Sequence, residues 1–109
     1  MIREFQFDGP LPPGQTLIYA LSDPTTGTIR FVGTTHLPAA CMHGHLSGKR
    51  SRRVPGLTEW VAGLIKAGTP PRMLELAIEN GNFAKLCSHE RHFIERLREG
   101  GDRLFNESA

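Results

Sequence analysis

The chain has 109 residues and a mass of 12.1 kDa, a length that fits one compact domain and is too short for two. Its 39% hydrophobic and 22% charged residues are ordinary for a globular protein and exclude wholesale disorder. Thirteen lysines and arginines against eleven acidic residues give a net charge of +2, too small by itself to indicate a nucleic-acid partner. No apolar stretch approaches the roughly 18–20 residues that cross a bilayer, so we expect no membrane partner.

The N-terminal segment predicts an arm rather than a targeting signal. It lacks the cationic start and apolar run of a signal peptide, and two cysteines are too few for a disulfide framework. Both observations predict a cytoplasmic protein. Prolines and glycines are dense in residues 1–15, which we expect to be an N-terminal arm ahead of a single domain over residues 16–109. The oligomeric state stays open.

A β-hairpin is predicted first along the domain. Residues 16–21 are apolar on both faces, as in a strand that is covered on two sides. Residues 23–27 form a turn, because proline pre-sets the backbone there and glycine tolerates positive φ. Residues 29–33 then pair back as the second strand.

Four further elements are predicted downstream. They are helices over residues 38–46 and 57–67, a third strand at the sheet edge over 72–79, and a last helix over 83–99 with Asn82 as its N-cap. The order β-β-α-α-β-α predicts an α/β fold of the α+β sandwich kind. A small, mainly antiparallel three-stranded sheet would be flanked by about three helices.

The last predicted helix carries a carboxylate within its apolar stripe. Glu90 lies four residues after Leu86 and four before Ile94, in the middle of the face that should meet the core. A carboxylate that faces a core is costly unless it meets a cation, a metal or several donors. Two interpretations stay open: Glu90 reaches water at the edge of the stripe, or it is a metal ligand or acid/base group in a cleft.

Tyr19 raises a similar question on the first strand. It is the only tyrosine of the chain, and its strand neighbours are aliphatic. A tyrosine in a core usually hydrogen-bonds a backbone carbonyl, and that is the expectation from the residue pattern alone.

Three segments together resemble the GIY-YIG nuclease superfamily. The first tripeptide of that family is similar to Leu-Ile-Tyr at residues 17–19, and the second to Phe-Val-Gly at residues 31–33. The last helix and the closing asparagine of the family resemble residues 90–94 and Asn106. The resemblance covers residues 16–106, nearly the whole chain.

This resemblance implies a metal-dependent DNA endonuclease that hydrolyses phosphodiester bonds with one Mg²⁺ or Mn²⁺ ion. Glu90 would hold the metal, and Tyr19 would orient or deprotonate the attacking water. His45 would support the site or relay protons. Asn106 would have a structural or phosphate-contacting role, and Phe31 would pack the hairpin under the site.

The chain departs from the family at one important position. Where the resemblance implies an arginine that binds the scissile phosphate, the sequence has Cys41, and a thiol offers no charge-assisted hydrogen bonds to phosphate. Either the loop cations Lys49, Arg50, Arg52 and Arg53 supply the charge and bind nucleic acid through its backbone, or the protein is a degenerate GIY-YIG module that binds nucleic acid or assembles without cutting.

The histidines allow a second alternative, a zinc-binding module. Cys41 and His45 have i, i+4 spacing, and with His89 they would supply three ligands if the first and last helices faced each other. Neither a Cys-x-x-Cys nor a His-Glu-x-x-His spacing is present to strengthen this interpretation.

Overall fold

Four strands and three helices follow one another in the computed structural model, which describes residues 2–7, 9–48 and 54–106 without the side chain of Phe83. The strands are β1 (Arg3–Glu4), β2 (Gln15–Ser22), β3 (Ile29–Thr35) and β4 (Arg72–Asn80). The helices are α1 (Pro38–Leu46), α2 (Leu57–Lys66) and α3 (Phe83–Glu99). The result is an α+β fold with one antiparallel sheet, and within the described ranges no helix is long and apolar enough to span a membrane.

The sheet has four strands in the order β1-β4-β2-β3, so the prediction of three strands with the third at the edge is wrong. The additional strand lies inside the predicted arm, where Arg3 pairs with Glu75 of β4. Phe5 anchors it, because its N–H donates to Met73 O over 2.8 Å and its side chain is buried. Two residues are too short to show a strand periodicity, which is why the sequence pattern did not indicate β1.

The hairpin follows the predicted pattern closely. Every residue of β2 after Gln15 is buried, as expected for a strand covered on both faces. At the turn, the N–H of Gly27 donates to Asp23 O over 2.8 Å, and Gly27 has a φ of +76° that suits a residue without Cβ.

The ends of the helices also match local signals in the sequence. α1 begins at Pro38, and α3 begins after Asn82, whose Oδ1 accepts the N–H of Lys85 over 3.1 Å. α3 ends before Gly100, so its predicted bounds are confirmed. α2 ends at Lys66, one residue before the predicted end.

One face of the sheet packs against α1 and the N-terminal arm. Alternate residues of β2 point to this face, and they join side chains from the arm, α1 and β4 in one buried cluster. Its members are Phe5, Leu17, Tyr19, Leu21, Cys41 and Met73. The core therefore includes two of the residues expected in the site, Tyr19 and Cys41.

Candidate functional site

Tyr19, His45 and Cys41 form a hydrogen-bonded cluster between β2 and α1. Tyr19 Oη lies 2.7 Å from His45 Nε2, and the Cys41 thiol donates to Oη across 3.3 Å. All three residues are at most 2% exposed. Because Cys41 and His45 are one helical turn apart on the same side of α1, both reach the one hydroxyl. The tyrosine thus bonds side chains, where the residue pattern suggested a backbone carbonyl.

Two residues of β3 shape the space around this hydroxyl. The ring centroid of Phe31 lies 6.3 Å from that of Tyr19 and 5.7 Å from that of His45. Gly33 lies directly opposite Tyr19 in the sheet, and a Cβ placed on Gly33 would be 2.6 Å from Oη. The hydroxyl therefore fits beside the strand because residue 33 has no side chain.

The sheet is irregular beside Tyr19. Ile18 pairs with Ala77 of β4, but Tyr19 pairs with Glu75, so Leu76 is an extra residue in the ladder. Such a bulge bends its strand and re-aims nearby side chains, and bulges are enriched next to active sites.

A cleft of about 380 Å³ opens where α1 and α3 meet the ends of β2 and β3. Thr16 and Thr34 line it from the strands, Cys41 from α1 and Leu86 from α3. Tyr19 and His45 lie deeper and do not line it, so among the cluster residues Cys41 is the one at the cleft wall.

The cleft continues along the same end of the sheet into a smaller cavity of about 170 Å³, which shares Thr16, His36 and Leu86 with it. His36 Nδ1 lies 3.0 Å from Thr16 Oγ1, and on the far side Glu79 hydrogen-bonds Nδ1 of His89. Sequence reasoning missed this polar wall. The sequence does contain a signal for it: Thr16 stands at the start of β2, His36 just after β3, and Glu79 near the end of β4. Antiparallel pairing brings these three positions to the same end of the sheet.

Glu90 lies on α3, one turn after Leu86, and is half-buried. Burial raises the pKa of its carboxyl above the ordinary value, because desolvation disfavours the charged form. No hydrogen bond or ion pair of its side chain occurs among residues 2–7, 9–48 and 54–106. A nearby cation would relieve this desolvation, but Glu90 is not among the residues that line either part of the cleft.

The donor chemistry of Glu90 fits Mg²⁺ or Mn²⁺, which take carboxylate oxygens and retain water molecules. The part of the chain that the structure describes has no group of three or more histidine, cysteine or acidic side chains that could hold a metal. Among the described residues, a metal at Glu90 would therefore have at most two ligands of these types and would need water or substrate oxygens as well.

The expected zinc ligands are not brought together. Cys41 and His45 hydrogen-bond to Tyr19, whereas His89 hydrogen-bonds to Glu79. In the described part of the chain these three residues do not form a metal-binding group. The zinc module gains no support from the geometry.

Of the residues expected to bind nucleic acid, Asn106 lies within the described part of the chain. Asn106 clamps the open edge of β3: its Oδ1 accepts the N–H of Val32 over 2.9 Å and its Nδ2 donates to Val32 O over 2.8 Å. The side-chain amide thus takes the place of a neighbouring strand, a structural role. The four expected loop cations, Lys49, Arg50, Arg52 and Arg53, lie outside the described residues.

Asn106→Asp is expected to destabilise the fold by about 1–3 kcal/mol, because the variant places a carboxylate oxygen against Val32 O and leaves a buried carbonyl without its donor. Urea unfolding followed by circular dichroism measures the loss. Asn80→Asp, at an exposed asparagine of β4, is the matched control and should stay within about 0.5 kcal/mol of wild type. Equal unfolding midpoints for the two variants would contradict the clamp.

Comparisons with known proteins add no family to this geometry. No protein-family model matches the chain. Searches of curated proteins and of solved structures also found no match.

Proposed function

We propose that the protein is a divalent-metal-dependent DNA endonuclease of GIY-YIG type that hydrolyses phosphodiester bonds. The observation that carries the proposal is the hydrogen bond between Tyr19 and His45, residues 26 apart in the chain. They stand at the two positions for which the motif resemblance implies a water-activating hydroxyl and its supporting histidine. A random match of short motifs would not be expected to bring these two side chains into contact.

The arrangement of the two tripeptides supports the same proposal. Residues 17–19 and 31–33 lie on adjacent antiparallel strands of one hairpin, and the tyrosine of the first is opposite the glycine of the second. The absence of a Cβ at Gly33 is what accommodates the hydroxyl. This gives the second tripeptide a physical function even though Phe31 replaces the tyrosine of the family motif.

The proposal assigns a role to each of the chain's own residues. Glu90 would hold Mg²⁺ or Mn²⁺, which when bound withdraws charge from the phosphate and makes a bound water more acidic. Tyr19 Oη lies 2.7 Å from His45 Nε2, and a His45 tautomer with an unprotonated Nε2 would accept the phenolic proton and leave the oxygen able to take up another. Leu86 and Leu37 contribute apolar side chains to the wall of the cleft.

A second candidate is a catalytically degenerate module of the same fold that binds nucleic acid or a partner without cutting. Its support is Cys41, a neutral group where the family motif has an arginine. Within the described ranges no lysine or arginine lines either part of the cleft. Loss of a group that stabilises transition-state charge commonly costs about 100-fold to 1,000-fold in rate.

The test is cleavage of supercoiled plasmid in Mg²⁺ or Mn²⁺, with Tyr19→Phe as the matched variant. Phenylalanine keeps the ring packing and removes the oxygen that meets His45. We expect wild type to nick the plasmid, EDTA to stop it, and the variant to cut at least about 100-fold more slowly, the usual range for a lost acid/base group. Circular dichroism of both proteins checks that the fold is retained.

Two other outcomes overturn the nuclease proposal and differ in meaning. Wild type that leaves the plasmid intact but binds labelled duplex DNA, with affinity that falls steeply as salt rises, identifies the degenerate module. Wild type that neither cuts nor binds DNA removes both candidates.

A further inference from the structure

Cys41 connects the buried tyrosine to the cleft. Tyr19 and His45 are each 1% exposed, so a water molecule in the cleft has no direct access to the phenolic oxygen. Cys41 lines the cleft and at the same time donates to Oη across 3.3 Å. The thiol therefore stands between the space that a substrate would enter and the Tyr19–His45 pair.

The hydrogen bonds of the cluster are consistent with proton transfer from Cys41 through Tyr19 to His45. A tyrosine hydroxyl has one proton to donate and lone pairs that accept. The Cys41 thiol donates to Oη, and in the His45 tautomer with an unprotonated Nε2 the phenolic proton is donated across the 2.7 Å to that nitrogen. Each member of the series Cys41, Tyr19 and His45 then donates to the next.

We propose that Cys41, Tyr19 and His45 form a proton relay whose entrance is the Cys41 thiol, so that Cys41 is the residue that takes the proton from the attacking water. The water O–H bond breaks and its electron pair remains on oxygen as the nucleophile. A new S–H bond forms as the original thiol proton passes to Oη, and the phenolic proton passes to His45 Nε2. His45 ends as an imidazolium ion, which balances the charge of the hydroxide.

The relay explains how Tyr19 would still help to deprotonate the attacking water in a chain that has a thiol in place of the arginine. A thiol can both release and accept a proton, whereas an arginine guanidinium stays protonated and has no acceptor. This inference rests on the proposed nuclease function for its rate effects. The hydrogen-bond connection itself can be tested without any cleavage of DNA.

The kinetic test compares Cys41→Ala with Cys41→Ser in a Cys87→Ser background, which removes the one other cysteine, an exposed one. Serine keeps a small hydroxyl that can receive and pass on a proton, whereas alanine breaks the relay. We expect Cys41→Ala to cut plasmid about 100-fold more slowly and Cys41→Ser to retain cleavage within about 10-fold of the background protein, because acid/base groups contribute in this range. The alkaline limb of the pH–rate profile should shift in the alanine variant. Equal rates and profiles for alanine and the background protein overturn the relay and leave the nuclease proposal intact.

The second test uses Tyr19 as a probe, since the chain has only one tyrosine. Biosynthetic 3-fluorotyrosine, which ionises at lower pH than tyrosine, gives a single ¹⁹F signal whose shift follows ionisation of the phenol. Removal of a donor to Oη in Cys41→Ala should raise the titration midpoint by about one pH unit, while Cys41→Ser should return it towards the wild-type value. A midpoint that is the same in all three proteins overturns the relay whether or not DNA is cut. A midpoint that moves as expected in a protein that does not cut DNA supports the hydrogen bond from Cys41 to Tyr19, and overturns the nuclease function together with the role of Cys41 towards an attacking water.

Discussion

Glu90→Gln is expected to abolish metal-dependent DNA cleavage, with a fall in rate of at least about 100-fold. Glutamine has the size of glutamate but no charge, so it does not hold the metal that would supply several kcal/mol of transition-state stabilisation. Plasmid nicking at saturating Mg²⁺ and at saturating Mn²⁺ measures the loss. Glu95→Gln, an exposed glutamate on the same helix, is the matched control and should cut at the wild-type rate.

The difference in stability between wild type and Glu90→Gln should depend on pH. Burial raises the pKa of the Glu90 carboxyl in the folded state above that in the unfolded state. Its contribution to stability is therefore full below the unfolded pKa and is lost as the pH rises through the folded pKa. Glutamine stays neutral and does not incur this loss.

At pH 7 without metal, Glu90→Gln should accordingly unfold at a urea concentration equal to or higher than wild type. Added Mg²⁺ should raise the unfolding midpoint of wild type only, because a ligand stabilises the state that binds it. If the variant proved less stable than wild type at pH 7 without metal, the loss of cleavage could be attributed to unfolding, and the argument for a metal ligand would fail.

Gly33→Ala is expected to disrupt the cluster around Tyr19 and to destabilise the protein by about 1–3 kcal/mol, the usual cost of overpacking a core. The added methyl carbon would lie 2.6 Å from Tyr19 Oη and 2.9 Å from a ring carbon of Phe31, closer than non-bonded atoms approach. The strand must then shift or the tyrosine must rotate away from His45. Urea unfolding gives the loss of stability, and cleavage should fall with the displaced hydroxyl.

Gly63→Ala provides the matched control for this substitution. Gly63 lies inside α2, and a Cβ there would meet nothing within 4 Å. Alanine at that position should therefore raise stability by roughly 0.5–1 kcal/mol through helix propensity. If Gly33→Ala were as stable and as active as wild type, the steric function assigned to the second tripeptide would be wrong.

Local signals in the sequence predicted most of the elements of this fold. Three of these features each depend only on residues within one strand, one turn or one helical turn. They are the burial of β2 on both faces, the turn at Asp23 and Gly27, and the N-cap at Asn82. Interactions at this range have nearly the same energy in any fold, so the residue pattern carries them. The strand in the N-terminal arm was missed because two residues show no period and its formation depends on a partner 72 residues away, Arg3 opposite Glu75.

For the candidate site, the sequence alone determined which residues have the chemistry: a lone tyrosine on a buried strand, a cysteine and a histidine one helical turn apart, and a carboxylate in an apolar stripe. Only the tertiary structure decided which of them meet. In the folded chain the Cys41 thiol and His45 both contact the Tyr19 hydroxyl. His89 instead hydrogen-bonds to Glu79. The hydroxyl fits beside Gly33 because that residue has no side chain. The physical reason is that strand register and the docking of α1 on the sheet set these contacts, and both are decided by the packing of the whole core.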